Sequence, residues 1–133
     1  MVRVLLAVTH RALRAALHEL LLQPPACFCG EAATSEELQQ QLPQQDWQIM
    51  VLDMCLPDQT KLQTVRTLHR RYPGVPILAL AFSSGIARRH WQEAGASGFV
   101  SKAHLSTDFR EAVRIIGDGG TYFTDERRGG TRP

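Results

Sequence analysis

Apolar positions along the chain fall into five short runs separated by stretches of helical periodicity. Val2 to Val8 is largely apolar without strict alternation, which predicts a strand buried on both faces of a parallel sheet. Thr9 is placed to cap the helix that follows. From His10 to Leu22, Leu13, Ala16, Leu17, Leu20 and Leu21 recur on one helical face with Arg14, His18 and Glu19 opposite, and Pro24-Pro25 ends the helix. Ala26 to Gly30 predicts a second strand, and Ser35 an N-cap ahead of a Gln-rich helix reaching Leu42. Trp47 to Leu52 predicts a third strand that ends on Asp53. Leu62, Val65, Leu68 and Tyr72 then mark a third helix stopped by Pro73-Gly74. Val75 to Ala81 is a fourth strand, Ile86 to Ala94 a short fourth helix ended by Gly95, and Gly98 to Ser101 a fifth strand before Lys102. Ser106 or Thr107 is positioned to cap a last helix, in which Phe109, Ala112, Val113 and Ile116 face inward before Gly117 to Gly120.

Strand and helix alternating five times imply right-handed crossovers and a (βα)5 parallel five-stranded sheet, doubly wound with helices on both faces. Ligands of such sheets bind beyond the carboxyl ends of the strands, where strand order reverses. That rule points to Val8 and Thr9, Asp53, Ala81 to Ser84, and Lys102.

Composition changes this picture little. The 133 residues, 44% hydrophobic and 21% charged, suit one globular domain, and a formal net charge of +2 makes no general case for nucleic-acid binding. Basic residues gather unevenly, with Arg66, Arg70 and Arg71 in one helix, Arg88, Arg89 and His90 in another, and Arg127, Arg128 and Arg132 near the end. Solvated helix faces account for them more simply than a docking surface for an acidic partner. No apolar run reaches the roughly 18 residues of a bilayer span, and the first residues read as a strand, not a leader. Cys27, Cys29 and Cys55 have no zinc-like spacing and fit free thiols in a reducing cytoplasm, Cys27 and Cys29 sharing one face of a strand as small apolar residues. His10 lacks companions at metal-ligand spacing and reads as a helix-start residue. Cys55 reads as a plain small side chain overlooking the crevice.

Several segments in order carry a family resemblance: Arg3-Val4-Leu5-Leu6-Ala7 with His10; Cys29-Gly30-Glu31-Ala32; Val51-Leu52-Asp53-Met54-Cys55-Leu56-Pro57; Gly95-Ala96-Ser97-Gly98-Phe99-Val100-Ser101-Lys102; and Gly119-Gly120-Thr121-Tyr122-Phe123. Nearly the whole chain resembles a response-regulator receiver domain of the NarL/LuxR type of transcription regulator. The resemblance implies a flavodoxin-like, CheY-like fold with strand order 2-1-3-4-5 over residues 1–120, and a linker or tail over 121–133. It also implies five active-site groups: an acid pair after the first strand, the acceptor aspartate, a hydroxyl after the fourth strand, and a lysine after the fifth. The acids and acceptor hold Mg²⁺ while the hydroxyl and ammonium bind phosphoryl oxygens.

By that resemblance Asp53 is the acceptor and Lys102 the lysine, with Pro57 after the acceptor and Phe99 at the aromatic switch position. The acid pair, however, falls on Val8 and Thr9, and the hydroxyl position on Ala81. Ser83 offers a hydroxyl only from a displaced loop. A single carboxylate gathers Mg²⁺ poorly, so the expectation is a degenerate site, weak or absent Mg²⁺ binding, and direct contact between Asp53 and Lys102. The chain then reads as an atypical, non-enzymatic receiver acting as a cytoplasmic signalling and interaction module. The alternative is a genuine phosphoacceptor modified on Asp53 by a sensor histidine kinase, and a third reading, by fold analogy alone, is a small-ligand binder. Expected partners are a second copy through the fourth helix, fifth strand and fifth helix, with Arg88, Arg89, Trp91 and Phe99 as candidate interface residues, and a sensor kinase or other regulatory protein. Core packing is the equal alternative for Trp91. No helix-turn-helix pattern follows the last helix, so DNA contact is expected only through a separate output domain, and no membrane contact is expected.

Overall fold

The computed structural model describes residues 2–55, 58–82 and 85–124. Pro57, Ser83, Arg127, Arg128 and Arg132, singled out above, lie outside them. In chain order the elements are β1 (Arg3–Ala7), α1 (Arg11–Leu22), β2 (Phe28–Ala32), α2 (Ser35–Gln41), β3 (Ile49–Asp53), α3 (Asp58–Arg71), β4 (Ile77–Ala81), α4 (Arg88–Ala94), β5 (Gly98–Ser101), α5 (Leu105–Gly117) and β6 (Tyr122–Phe123). Short 3₁₀ turns at Leu42–Gln44 and Lys102–His104 follow α2 and β5.

All pairings are parallel, in the order β2-β1-β3-β4-β5-β6. The expected order 2-1-3-4-5 is present, but the sheet has six strands where the pattern predicted five. After α5 the chain turns back and lays Tyr122 beside Gly98 and Phe123 beside Phe99. Two paired residues are too few to show a periodicity, so the first part of the stretch read as a linker or tail belongs to the sheet.

The strands alternate sides although their sequences do not alternate in polarity, because both faces are covered. Leu5, Met50, Leu52, Ile77, Ala79 and Phe99 point into one core with Val65 of α3 and Trp91 of α4. Val4, Leu6, Ile49, Val51, Leu78 and Val100 point into the other, with Leu17 of α1 and Phe109 of α5. Each fully buried valine, leucine, isoleucine, methionine or phenylalanine side chain contributes about 1.5–3 kcal/mol relative to exposure.

The helix starts differ from the predicted caps by one residue or more. His10, not Thr9, caps α1, its Nδ1 accepting from Leu13 N at 3.1 Å, since the cap must stand immediately before the first helical residue. Thr34 replaces Ser35 at α2 for the same reason, its Oγ1 accepting from Glu37 N at 3.1 Å while Glu37 Oε1 accepts from Ala33 N at 2.7 Å. Neither Ser106 nor Thr107 caps α5. The turn before it is started by Ser101, whose Oγ accepts from Ala103 N at 3.2 Å. At the other end of α4, Gly95 takes a left-handed conformation with φ of 109°, where a β-carbon would also meet the His69 ring.

Candidate functional site

β3 and β5 end side by side across β4, and their ends carry the two charges that define the site. Lys102 Nζ is in direct ion-pair contact with Asp53 Oδ1, and only 6% and 5% of the two side chains are exposed. The ammonium also donates to Cys55 Sγ at 3.4 Å and lies 5.4 Å from the centre of the Phe82 ring. The Cys55 thiol lies 3.9 Å from Asp53 Oδ1. Burial by itself would lower the pKa of Lys102. The hydrogen bond and charge of Asp53, with those of Cys55, outweigh that effect and hold it above the ordinary lysine range.

The positions flanking this pair bring little further charge. Val8 is wholly buried and packs in the core shared with α1 and α5. Thr9 lines a cavity beside Asp53. Ala81, at the end of β4, is buried and pairs with Ser101. Ser101 Oγ donates to the carbonyl oxygen of Phe82 at 2.9 Å and so ties the first residue after β4 to the end of β5. Among the described residues, no group of three or more His, Cys, Asp or Glu side chains is placed to share a metal ion.

Phe99 is 4% exposed and stacks on Trp91, itself 1% exposed, with ring centroids 5.2 Å apart and planes 17° from parallel. Both rings are buried, so the core packing weighed for Trp91 is what the chain shows, and neither ring is open on its surface. Trp91 and Ala94 are three residues apart and share the buried face of α4, whereas Arg88, Arg89 and His90 occupy its solvent side. Arg88 reaches from α4 to β6, its guanidinium 5.5 Å from the Phe123 ring centre and 3.5 Å from the Phe123 carbonyl oxygen. Tyr122 Oη donates to Asp108 Oδ1 at 2.9 Å, so β6 is held from α4, β5 and α5 together.

One cluster was not anticipated. Arg14 of α1 donates to the carbonyl oxygen of Val8 at 2.7 Å and binds Glu31 of β2 at 3.0 Å, while His18 meets the other Glu31 oxygen at 2.5 Å. The corner after β1 is therefore braced by a guanidinium on its backbone. Burial would raise the pKa of Glu31, but its hydrogen bonds to His18 and Arg14 and their charges pull it below the usual carboxylate range. Arg14 and His18 lie four residues apart on the polar side of α1, which was the only trace in the sequence. The remaining thiols are unremarkable. Cys27 and Cys29 are free, half-buried and packed on the same core, and burial pushes the Cys29 thiol up to about 11.

Comparison with known proteins agrees with this geometry. The chain is 33% identical over 121 residues to the DNA-binding transcriptional activator DevR/DosR of Mycobacterium tuberculosis, covering 90% of this chain and 56% of that protein. It is 27% identical over 110 residues to the DNA-binding transcriptional activator EvgA of Escherichia coli K12, covering 82% and 54%. The chain thus spans about half the length of these curated relatives. Among solved structures, the isolated REC domain of RcsB from Salmonella enterica serovar Typhimurium superposes with a TM-score of 0.81 at 19% identity, covering 98% of this chain and all of that one. A LuxR-family two-component response regulator from an Aurantimonas species gives 0.80 at 25% identity, covering 93% and 90%. Residues 4–114 match the family described as the response regulator receiver domain, and the chain belongs to that family.

Proposed function

We propose that this receiver domain is an atypical one, serving a transcriptional response regulator as an interaction module without conventional Mg²⁺-dependent phosphorylation. One observation carries the reading: the carboxylate in the acceptor position is already neutralised by Lys102, and among the described residues no group of three acidic, histidine or cysteine side chains gathers there to hold a metal ion. Mg²⁺ prefers hard oxygen ligands in octahedral geometry and gives up its water reluctantly. One engaged carboxylate, a neutral Thr9 and a thiol do not fit it. Without the ion, the charge that builds up as a phosphoryl group transfers has little to balance it.

Ala81 and Phe99 extend the argument to switching. A receiver that responds to phosphorylation needs a hydroxyl after β4 to follow the phosphoryl group and an aromatic ring on β5 to follow the hydroxyl. Ala81 has no such group, Ser101 pins Phe82, and Trp91 holds Phe99 inward. Control then comes from a regulatory protein or a second copy engaging the side formed by α4, β5 and α5, where β6 supplies the outer edge. DNA contact belongs to an output domain, in keeping with the DNA-binding relatives.

Retention of both Asp53 and Lys102 favours a second reading, in which Asp53 still accepts a phosphoryl group from a sensor kinase. Incubation with acetyl phosphate and Mg²⁺, followed by intact-protein mass spectrometry, separates the two. The expected result is no phosphoryl adduct above an Asp53→Asn control. A stable, Mg²⁺-dependent adduct on the parent chain that the control lacks would overturn the proposal.

A further inference from the structure

Beside the ion pair, between α2 and α3 and above the ends of β1 and β3, lies a cavity of about 470 Å³. Its volume is within the range of small-molecule sites, roughly 300–1,000 Å³. Ala7, Ala32, Leu38, Leu52 and Met54 supply an apolar lining, and their small or retracted side chains make the hollow. Neutral hydrogen-bonding groups line it as well, among them Thr9, Thr34, Gln39, Thr64 and Thr67.

The charge of the lining decides what it can hold. Among the described lining residues Asp53 is the one ionisable group, and its carboxylate is neutralised by Lys102 outside the cavity. Among the described residues no lysine, arginine or histidine lines the wall to meet an anion. The start of α2 offers little in its place, since Ala33 N is bonded by the Glu37 carboxylate and Glu37 N by Thr34 Oγ1. A phosphate or carboxylate brought there would lose its hydration, find those amides engaged, and face the charges of Glu36 and Glu37. A cation gains less from a carboxylate that already has its ammonium.

We infer that this cavity binds an uncharged small molecule with an apolar ring or chain and one or two hydrogen-bonding groups, and that nucleotides and flavin phosphates are excluded. The apolar lining supplies most of the attraction, and the threonine hydroxyls and glutamine amides fix orientation. The inference rests on the Asp53–Lys102 pairing that supports the proposed function, but not on whether Asp53 accepts a phosphoryl group.

Three near-isosteric probes differing in charge test it: benzamide, benzoate and benzylammonium, titrated into ¹⁵N-labelled protein while amide shifts are followed. Benzamide is expected to give saturable shifts concentrated at Thr9, Thr34 and Thr64, with both ions binding at least about ten-fold more weakly, a gap of about 1.4 kcal/mol. Scattered or non-saturating shifts with benzamide, or equal binding by either ion, would overturn the inference. Thr64→Trp, filling the space from α3, should abolish the benzamide shifts at Thr9 and Thr34. If that variant loses its dispersed spectrum, Gln39→Trp fills the space from α2 instead. Shifts that persist in a folded filling variant count equally against the site. The readout is separate from the acetyl phosphate experiment, so the failure of one proposal is distinguishable from that of the other.

Discussion

If Asp53 and Lys102 form a structural pair, cutting it from its two ends should have unequal effects. Lys102→Met removes the ammonium and leaves a carboxylate whose side chain is 5% exposed. Breaking a buried pair in this way costs roughly 3–5 kcal/mol. The Cys55 thiol, 3.9 Å from Asp53 Oδ1, offers partial replacement, which places the variant near the lower limit, about 3 kcal/mol. Asp53→Asn should cost only about 1 kcal/mol, because the lysine stem can swing its charge toward water. The double variant removes both charges and should lose about 2 kcal/mol, half the sum of the single losses, giving a coupling of about 2 kcal/mol. Urea unfolding at neutral pH, followed by tryptophan fluorescence, measures all four corners of the cycle. Raising the pH adds an independent check. A lysine whose pKa is raised by folding contributes stability that is complete below its unfolded value of 10.5 and is lost as pH climbs through the folded value. The gap between the parent and the double variant should therefore narrow in alkali. Additive single effects, or a Lys102→Met variant no weaker than Asp53→Asn, would refute the account of the pair.

Thr9→Asp should add a carboxylate beside Asp53 and raise Mg²⁺ affinity by about ten-fold or more, read by calorimetric titration, whereas Val8→Asp should unfold the domain because it places a charge in the core. Trp91 Nε1 is buried and has no hydrogen-bond partner among the described residues, so Trp91→Phe should cost under about 1.5 kcal/mol while Trp91→Ala costs about 3–5 kcal/mol, as judged by denaturant midpoints. Glu31 has a depressed pKa, so its contribution is present above the ordinary carboxylate value of 4.5 and is lost as pH falls through the lower folded value. Acid titration of stability should therefore flatten in Glu31→Gln by less than about 1 kcal/mol, the limit set by the pair's exposure to solvent.

Most of the architecture was legible because a buried parallel strand leaves a plain mark, a short apolar run with a helix-period segment on either side. Pro24-Pro25 and Gly95 fixed where α1 and α4 stop. What escaped was settled by single contacts. A cap is assigned by which side chain reaches a free amide, so Thr9 was the better cap by type, yet Leu13 N donates to His10. β6 escaped because its two residues are strand only by virtue of the β5 edge they meet.

The site was legible in its chemistry and less so in its direction. Asp53, Lys102, Val8, Thr9 and Ala81 follow from the spacing of the strand ends. That Val8 turns into the core, that Cys55 touches the ammonium, and that Phe99 faces Trp91 depend on side-chain packing, which no spacing rule carries. Trp91 shows why: a large aromatic residue next to Arg88, Arg89 and His90 suggests a surface, yet its ring is buried while those three residues are exposed.

Two features of the β1 corner explain why restoring charge there is not a simple reversal. The Val8 side chain fills core space between strands and helices, and its carbonyl oxygen accepts from Arg14 at 2.7 Å. A carboxylate in its place would have to leave the core, and the brace would have to yield with it. The brace also puts a guanidinium beside the backbone from which an acid pair would reach a metal, and the two like charges would repel across a short distance. Glu31 reduces that repulsion only while its own carboxylate stays on Arg14 and His18. The corner is thus organised around the Arg14 guanidinium as the end of β3 is around Lys102, and a carboxylate introduced at Val8 would meet a cation already bonded to the backbone it has to move.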